Sequence, residues 1–442
     1  MDWTRLLTEA RFRDPGYVYA ENRPSYVQDA DRILFSAPFR RLANKTQVHP
    51  LYENDHVHHR LIHSVETGSV GRSLGMEAGA WLEGQGALAP GARHLVAGAV
   101  QAACLCHDIG NPPFGHSGES AIGAWFARKF DENQGLFAEL DPALRGEFEK
   151  FEGNAQGFRI IARREMYRDE GGMRLSAPTL GAFSKYPAAE RVARGRRGEY
   201  CGLKKYGLFA EDVALYAEVA ETLGLPQQIT PEGPWWRRHP LVFLVEAADD
   251  ICYRILDIED AHTMGEIDYD RARALLTPLL RRIPSDRGRE PHEELALLRA
   301  LAIGEAIGAA SEAFRTHHDA ILAGTFSGAL IEVSALAPAW ERIDDVTRKR
   351  ILTGPRKTRL EVEGRNVLHR VLDGLAPVFE ALAARGWEPE RLGDYHGQLV
   401  SATALDLRGA KDAYSALHLL ADYVSGMTDR YAVSVAKMLS GG

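Results

Sequence analysis

A chain of 442 residues, 45% of them hydrophobic, carries enough apolar material for a large core, and its formal net charge of −8 argues against broad binding to a polyanion. Four cysteines (Cys104, Cys106, Cys201, Cys252) form no C-x-x-C pair, and the first residues, Met1 to Arg5, lack the apolar segment of a secretory leader. Packed thiols in a cytoplasmic protein are therefore expected, and with no apolar run near the roughly 18 residues that span a bilayer, no membrane role is expected.

The first 30 residues mix Pro, Gly, Tyr and charge without periodicity and read as an irregular arm. Ile33, Leu34, Ala37, Phe39 and Leu42 then support short helices around Pro38, and Asn44 to Pro50 reads as a loop. From Asp55 to Leu74 the pattern is helical and rich in histidine (His56, His58, His59, His63). Most of these are expected to be surface histidines. His63 differs, because it shares a helical face with Arg60 and Glu66, three residues to either side.

After a Gly-rich turn, residues Arg93 to Cys106 are almost wholly apolar or small, which predicts a buried helix delivering His107 and Asp108 at its C-terminal end. Gly110-Asn-Pro-Pro-Phe-Gly115 must break that helix, since proline has no N–H to donate and glycine relaxes φ. A new helix is expected near Ser117, placing His116 and Glu119 at its start, with peripheral helices between Phe126 and Glu149 and a further helix capped near Gly153 or Asn154. Residues 168–207 read as a long loop with short helices, of a length that in compact proteins is usually functional or disordered. In the helix predicted from Leu241 to Asp260, Asp249, Tyr253 and Asp257 fall at i, i+4 and i+8 along one stripe. Asp250, with Arg254 four residues on, is assigned to the outer face. The remainder reads as amphipathic helices, with no repeat and no strand set.

A hydrolytic metal site needs a few imidazoles and carboxylates and an open position for water or a substrate oxygen. His63, His107, Asp108 and Asp249 offer two nitrogens and two oxygens from three helices. That donor set suits one divalent ion, Mn²⁺ first, with Fe²⁺, Co²⁺, Ni²⁺ and Zn²⁺ compatible and Mg²⁺ a weaker fit because of the imidazoles.

The order His63, His107-Asp108, Asp249 is similar to the signature of the HD-domain superfamily of metal-dependent phosphohydrolases, and within it the chain resembles the deoxynucleoside triphosphate triphosphohydrolases, the dGTPase family. Six ordered blocks carry the resemblance: Arg40 to Val48, Arg60 to Ser64, His107 to Glu119, Glu152 to Gln156, Glu246 to Tyr253, and Gly426 to Ala432. It runs from about residue 25 to the end.

The resemblance implies an all-α fold and cleavage of a dNTP (dGTP or several dNTPs) between the 5′ oxygen and the α-phosphorus, giving a deoxynucleoside and inorganic triphosphate. It implies that His116 either protonates the departing oxygen or takes part in attack, oriented by Glu119. Arg60, Lys185 and Lys205, within the blocks Ser184 to Pro187 and Lys204 to Gly207, are the implied triphosphate contacts; Arg365 is a further one, and Asn154 matches a substrate-contacting position. Gln47, Tyr253 and Asp257 match positions near the deoxyribose, where a tyrosine under C2′ excludes a hydroxyl. A homo-oligomer and a dNTP effector at a second site are also implied, with nucleic acid left open. His49 and the His56/His58/His59 cluster depart from the family pattern.

The expected organisation is an arm and substrate-contacting loop over 1–54, an HD-domain core over 55–265, and C-terminal helices over 266–442 packed on it. The competing readings are another HD-type phosphohydrolase or phosphodiesterase, and a non-catalytic sensor of nucleotides or single-stranded nucleic acid. An intact His116 and Glu119 argue against a sensor, which has no use for an acid and the carboxylate that orients it.

Overall fold

Helix α1 (Arg60–Gly84) and helix α2 (Arg93–Cys106) pack so closely that their backbones nearly touch. The cause lies in a stripe of glycines on α1. A Cβ at Gly71 would lie 2.5 Å from the Cys104 sulfur, and one at Gly75 would lie 2.6 Å from the Ala97 Cα. This approach brings His63, near the start of α1, beside His107, just past the end of α2.

The computed structural model describes residues 1–20, 22–46, 59–285, 288–348 and 355–441. Among these the architecture is all-α, as expected. Helix α3 (Gly115–Glu132) follows the turn after His107, and α4 (Val242–Thr263) crosses the first pair; α5 (Pro291–Leu322), α6 (Pro355–Ala383), α7 (Ala413–Ser425) and α8 (Asp429–Ser440) complete the chain with shorter helices between. No described helix is long and apolar enough to cross a membrane. The four cysteines are free thiols, three of them buried.

Two large apolar cores support the site. One gathers α1, α2, α4 and α5 around Leu74, Val100, Cys104, Ile251, Ile255 and Leu298. The other joins α3 to α6, α7 and α8 through Phe114, Trp125, Phe126, Leu372, Phe379 and Leu420. The helix that carries His116 is thus held by the C-terminal helices, which the order of residues along the chain does not reveal.

Three readings are refined. The arm is anchored: Trp3, Leu6 and Phe12 are buried, and Arg11 meets Asp29 at 2.9 Å with both side chains fully enclosed. A two-stranded antiparallel hairpin, Gln227–Thr230 with Gly233–Trp236, was not evident from the sequence, because four-residue strands interrupted by proline carry no alternation long enough to register. The 168–207 stretch contains the helices Ala177–Phe183 and Glu190–Gly195, and its Lys185, Tyr186, Lys204 and Lys205 all reach the cavity described next.

Candidate metal and catalytic site

A cavity of about 480 Å³ opens where the two cores meet. His63, His107 and Asp249 converge on its floor, with one donor atom from each lying within 4.8 Å of the others. The His63 Nε2 is 3.0 Å from Asp249 Oδ1, and the His107 Nε2 is 3.5 Å from the same oxygen. His107 is aimed by its other nitrogen: Nδ1–H donates to the Cys104 carbonyl at 2.6 Å, leaving Nε2 toward the cavity.

Electrostatics follow from this crowding. Burial disfavours a charged His107, yet the carboxylates of Asp108 and Asp249 overcome it and raise the imidazole to about 9. Asp249 is held well below the usual carboxylate range, because His107 and His63 outweigh its burial. Two imidazole nitrogens and an ionised carboxylate around one point, one ring already oriented by a backbone carbonyl, fit a divalent metal ion.

Asp108 stands at the edge of this group. Its Oδ1 is 3.5 Å from His107 Nε2 and accepts the Asn111 side-chain amide, while Oδ2 accepts Arg60 Nη1 at 2.8 Å. Arg60, expected to face phosphate, is buried against that carboxylate and still lines the cavity. Gly115, at φ +59°, makes room for it: a Cβ there would sit 2.7 Å from Arg60 Nη2.

The helix-face assignment of the two adjacent aspartates is half right. Asp249 points to the histidines, but Asp250 does not face solvent. It lines the same cavity and pairs with Arg254 at 2.6 Å, and Arg254 is fixed in turn by Asp344 at 2.7 Å. Burial raises Asp250 to about 6 despite that partner. The i+4 pairing holds; the outer-face placement does not, because Asp250 lines the cavity, while Asp344 from a distant helix holds its partner Arg254.

His116 also lines the cavity; its side chain is 81% exposed, and its Nδ1 lies 2.7 Å from Glu119 Oε2. Glu119 is buried, its other oxygen accepts the Gly153 N–H at 2.7 Å, and although burial opposes it the bond to His116 lowers its pKa. An ionised Glu119 makes Nδ1 the protonated nitrogen and leaves His116 Nε2 free to exchange a proton with whatever occupies the cavity.

The cationic wall is built from ion pairs. Lys205 meets Glu152 at 2.9 Å, Lys185 meets Glu246 at 3.1 Å, and exposed Lys204 lines the cavity beside them. Asn154, which donates to Glu152 at 2.7 Å, lines it as well. Tyr253 is on the wall, and burial together with Asp257 pushes its phenol well above the ordinary value. Asp257 is buried beside that tyrosine and is not on the wall. Arg365 is exposed and is not on the wall. Gln47, His49, His56 and His58 lie outside the described residues, and His59 caps α1, accepting from the Ile62 N–H at 3.5 Å. Glu246, Glu361, Phe183 and Thr46 also line the cavity, and nothing in their sequence spacing marked them for it.

An all-α fold whose helices present His63, His107-Asp108 and Asp249 to one cavity is the arrangement of an HD-domain protein, and residues 60–180 match the HD domain family. Residues 334–438 match the phosphohydrolase-associated domain. The chain is 39% identical to a deoxyguanosinetriphosphate triphosphohydrolase-like protein of Pseudomonas aeruginosa, over 100% of this chain and 99% of the relative. It is 36% identical to a protein of the same description from Synechocystis, with the same coverage, and 30% identical to the deoxyguanosinetriphosphate triphosphohydrolase of Yersinia pestis over 92% of each chain. The chain belongs to the deoxyguanosinetriphosphate triphosphohydrolase-like family of HD-domain phosphohydrolases.

Proposed function

We propose that this protein is a metal-dependent dNTP triphosphohydrolase that releases a deoxynucleoside and inorganic triphosphate. The observation that carries the reading is the His116–Glu119 pair, 2.7 Å apart, with His116 lining the same cavity as the His63, His107 and Asp249 cluster. A binding module has no need of a carboxylate-oriented imidazole facing a metal-binding group.

His63, His107 and Asp249, with Asp108 alongside, would hold one divalent ion, Mn²⁺ by preference, whose positive charge would polarise the α-phosphate. The chain's own residues supply the rest. Lys185, Lys204 and Lys205 attract the triphosphate, which competes with Glu246 and Glu152 for two of them. Tyr253 bounds the sugar and leaves no room for a 2′-hydroxyl. A water oxygen forms the new bond to the α-phosphorus while the bond to the 5′ oxygen breaks. The proton on His116 Nε2 passes to that oxygen, and Glu119 steadies the imidazolium beforehand. The proton lost by water restores His116 through solvent, to which the ring is open.

The family resemblance adds two further proposals, a homo-oligomer and a dNTP effector at a second site, and the free cysteines support a third, a cytoplasmic location. The test of the main reading is product analysis with each dNTP and matching NTP across Mn²⁺, Mg²⁺ and Co²⁺. At least one dNTP should give deoxynucleoside and triphosphate in equal amounts while its NTP is spared; pyrophosphate or monophosphate as the phosphorus product would refute it.

A further inference from the structure

The turn joining the two sides of the cavity is fastened by residues more than 60 positions upstream and more than 300 downstream. Phe114, the residue from which α3 starts, has φ +63°, a left-handed conformation that a bulky side chain rarely adopts, and no side chain caps the helix there. Its buried N–H donates to Asp429 Oδ1 at 3.0 Å. Asp429 opens α8, and its other oxygen accepts both the N–H and the hydroxyl of Thr46.

The opposite end of the turn is held in a matching way. Lys45 Nζ donates to the Asn111 carbonyl at 2.6 Å and to the Ser425 carbonyl, at the end of α7, at 2.7 Å. The Asn111 side chain in turn donates to Asp108. Lys45 and Asp429 are both buried, at 3% and 2% exposure, and neither lines the cavity. They cannot touch a nucleotide, yet between them they fix both ends of the segment that separates the ligand cluster from His116.

We propose that Asp429, seconded by Lys45, is a positioning residue for His116: it pins the Phe114 N–H, and so sets where α3 begins and how far the imidazole stands from His63, His107 and Asp249. Because the His116 side chain is mostly exposed and, among the described residues, is held by its hydrogen bond to Glu119, the start of its helix is what locates it. A displacement of about 1 Å at a reacting group is enough to cost on the order of 10²-fold in rate. The inference rests on the proposed function for its kinetic readout and on the fold for its spectroscopic one.

Asp429→Asn replaces an acceptor of three bonds by an amide with a single oxygen. In this variant kcat should fall at least tenfold, while KM for the dNTP and Mn²⁺ affinity measured by electron paramagnetic resonance stay within about threefold of wild type. In metal-free protein labelled at the histidine ring carbon, the His116 cross-peak, assigned with His116→Gln, should move while those of His63 and His107 stay. Thr428→Ala, which removes the cap bond to Tyr431 N–H at the same helix start, should lower the melting temperature yet leave kcat and the His116 peak unchanged. If Asp429→Asn fails to fold, Lys45→Met should give the same signature. An unmoved His116 peak with wild-type kcat overturns the proposal, and so does a parallel loss of Mn²⁺ binding with all three histidine peaks displaced. If wild-type protein turns over no dNTP, the proposed function fails, while the His116 peak still decides the positioning.

Discussion

The two sides of the cavity are held by different means. On the ligand side, His63, His107 and Asp249 stand on three helices that share one apolar core, and glycine-mediated contact between α1 and α2 fixes their spacing. On the other side, His116 projects into open space from α3, whose apolar face belongs to the second core, with Phe114, Trp125 and Phe126 packed among the C-terminal helices. A metal ion demands donors fixed to within a few tenths of an ångström, and close helix packing supplies that rigidity. The proposed proton donor would have to meet a substrate that enters and leaves, and an exposed imidazole on an oriented hydrogen bond suits that task.

If the division is real, variants on the two sides fail in different ways. Asp249→Ala should abolish both bound metal, measured by elemental analysis, and turnover, the largest effect expected. If Asp250→Ala does this instead, the ligand side has been assigned to the wrong carboxylate. His116→Ala should retain metal and lose turnover by a factor on the order of 10²; normal turnover would move the acid elsewhere, and lost metal would erase the division.

Much of this was legible in the sequence, and what was not has a physical cause. Helices α2 and α4 were predicted within a few residues, because a near-continuous apolar run and an i, i+4, i+8 stripe are local signals. The convergence of His63, His107 and Asp249 followed from residue chemistry and family resemblance together. The i+4 spacing alone sends Asp250 outward, yet it lines the cavity, and Asp344, which fixes its partner Arg254, lies 90 residues beyond that arginine, a contact no helical spacing encodes. Lys45 and Asp429 lay inside the blocks that carried the resemblance, but their work is to bond main-chain groups of a turn far along the chain, which leaves no pattern in spacing. The glycines of α1 were visible as residues; their meaning, an interhelical approach, depends on the partner helix.

A smaller effect separates the two sides by pH. In the metal-free protein His107 is raised to about 9, so at pH 7 an incoming ion must expel its proton. Mn²⁺ affinity should therefore rise with pH by up to about tenfold per unit between pH 7 and 9. His116→Ala should leave that slope intact, and a flat profile would mean that His107 is not a ligand.

The smallest expected effect concerns stability of the first core alone. His239 is wholly buried, accepts the Leu241 N–H at Nδ1 and faces the Leu6 carbonyl with Nε2, so both nitrogens are satisfied by the neutral ring. Burial lowers it to about 4, against an unfolded value near 6.5. The unfolded chain then binds the extra proton between those values, so stability is full above pH 6.5 and declines toward pH 4, by about 3 kcal/mol at most. Denaturant melts of wild type and His239→Gln over that range should show the decline in wild type and a shallower one in the variant.

The central claim is that water attacks the α-phosphorus while His116 protonates the departing 5′ oxygen. Hydrolysis of each dNTP in ¹⁸O-labelled water with Mn²⁺, followed by mass spectrometry of both products, tests it directly. Attack at phosphorus should give unlabelled deoxynucleoside and triphosphate carrying one ¹⁸O atom; label in the 5′-hydroxyl, or any shorter phosphate as the primary product, would contradict it.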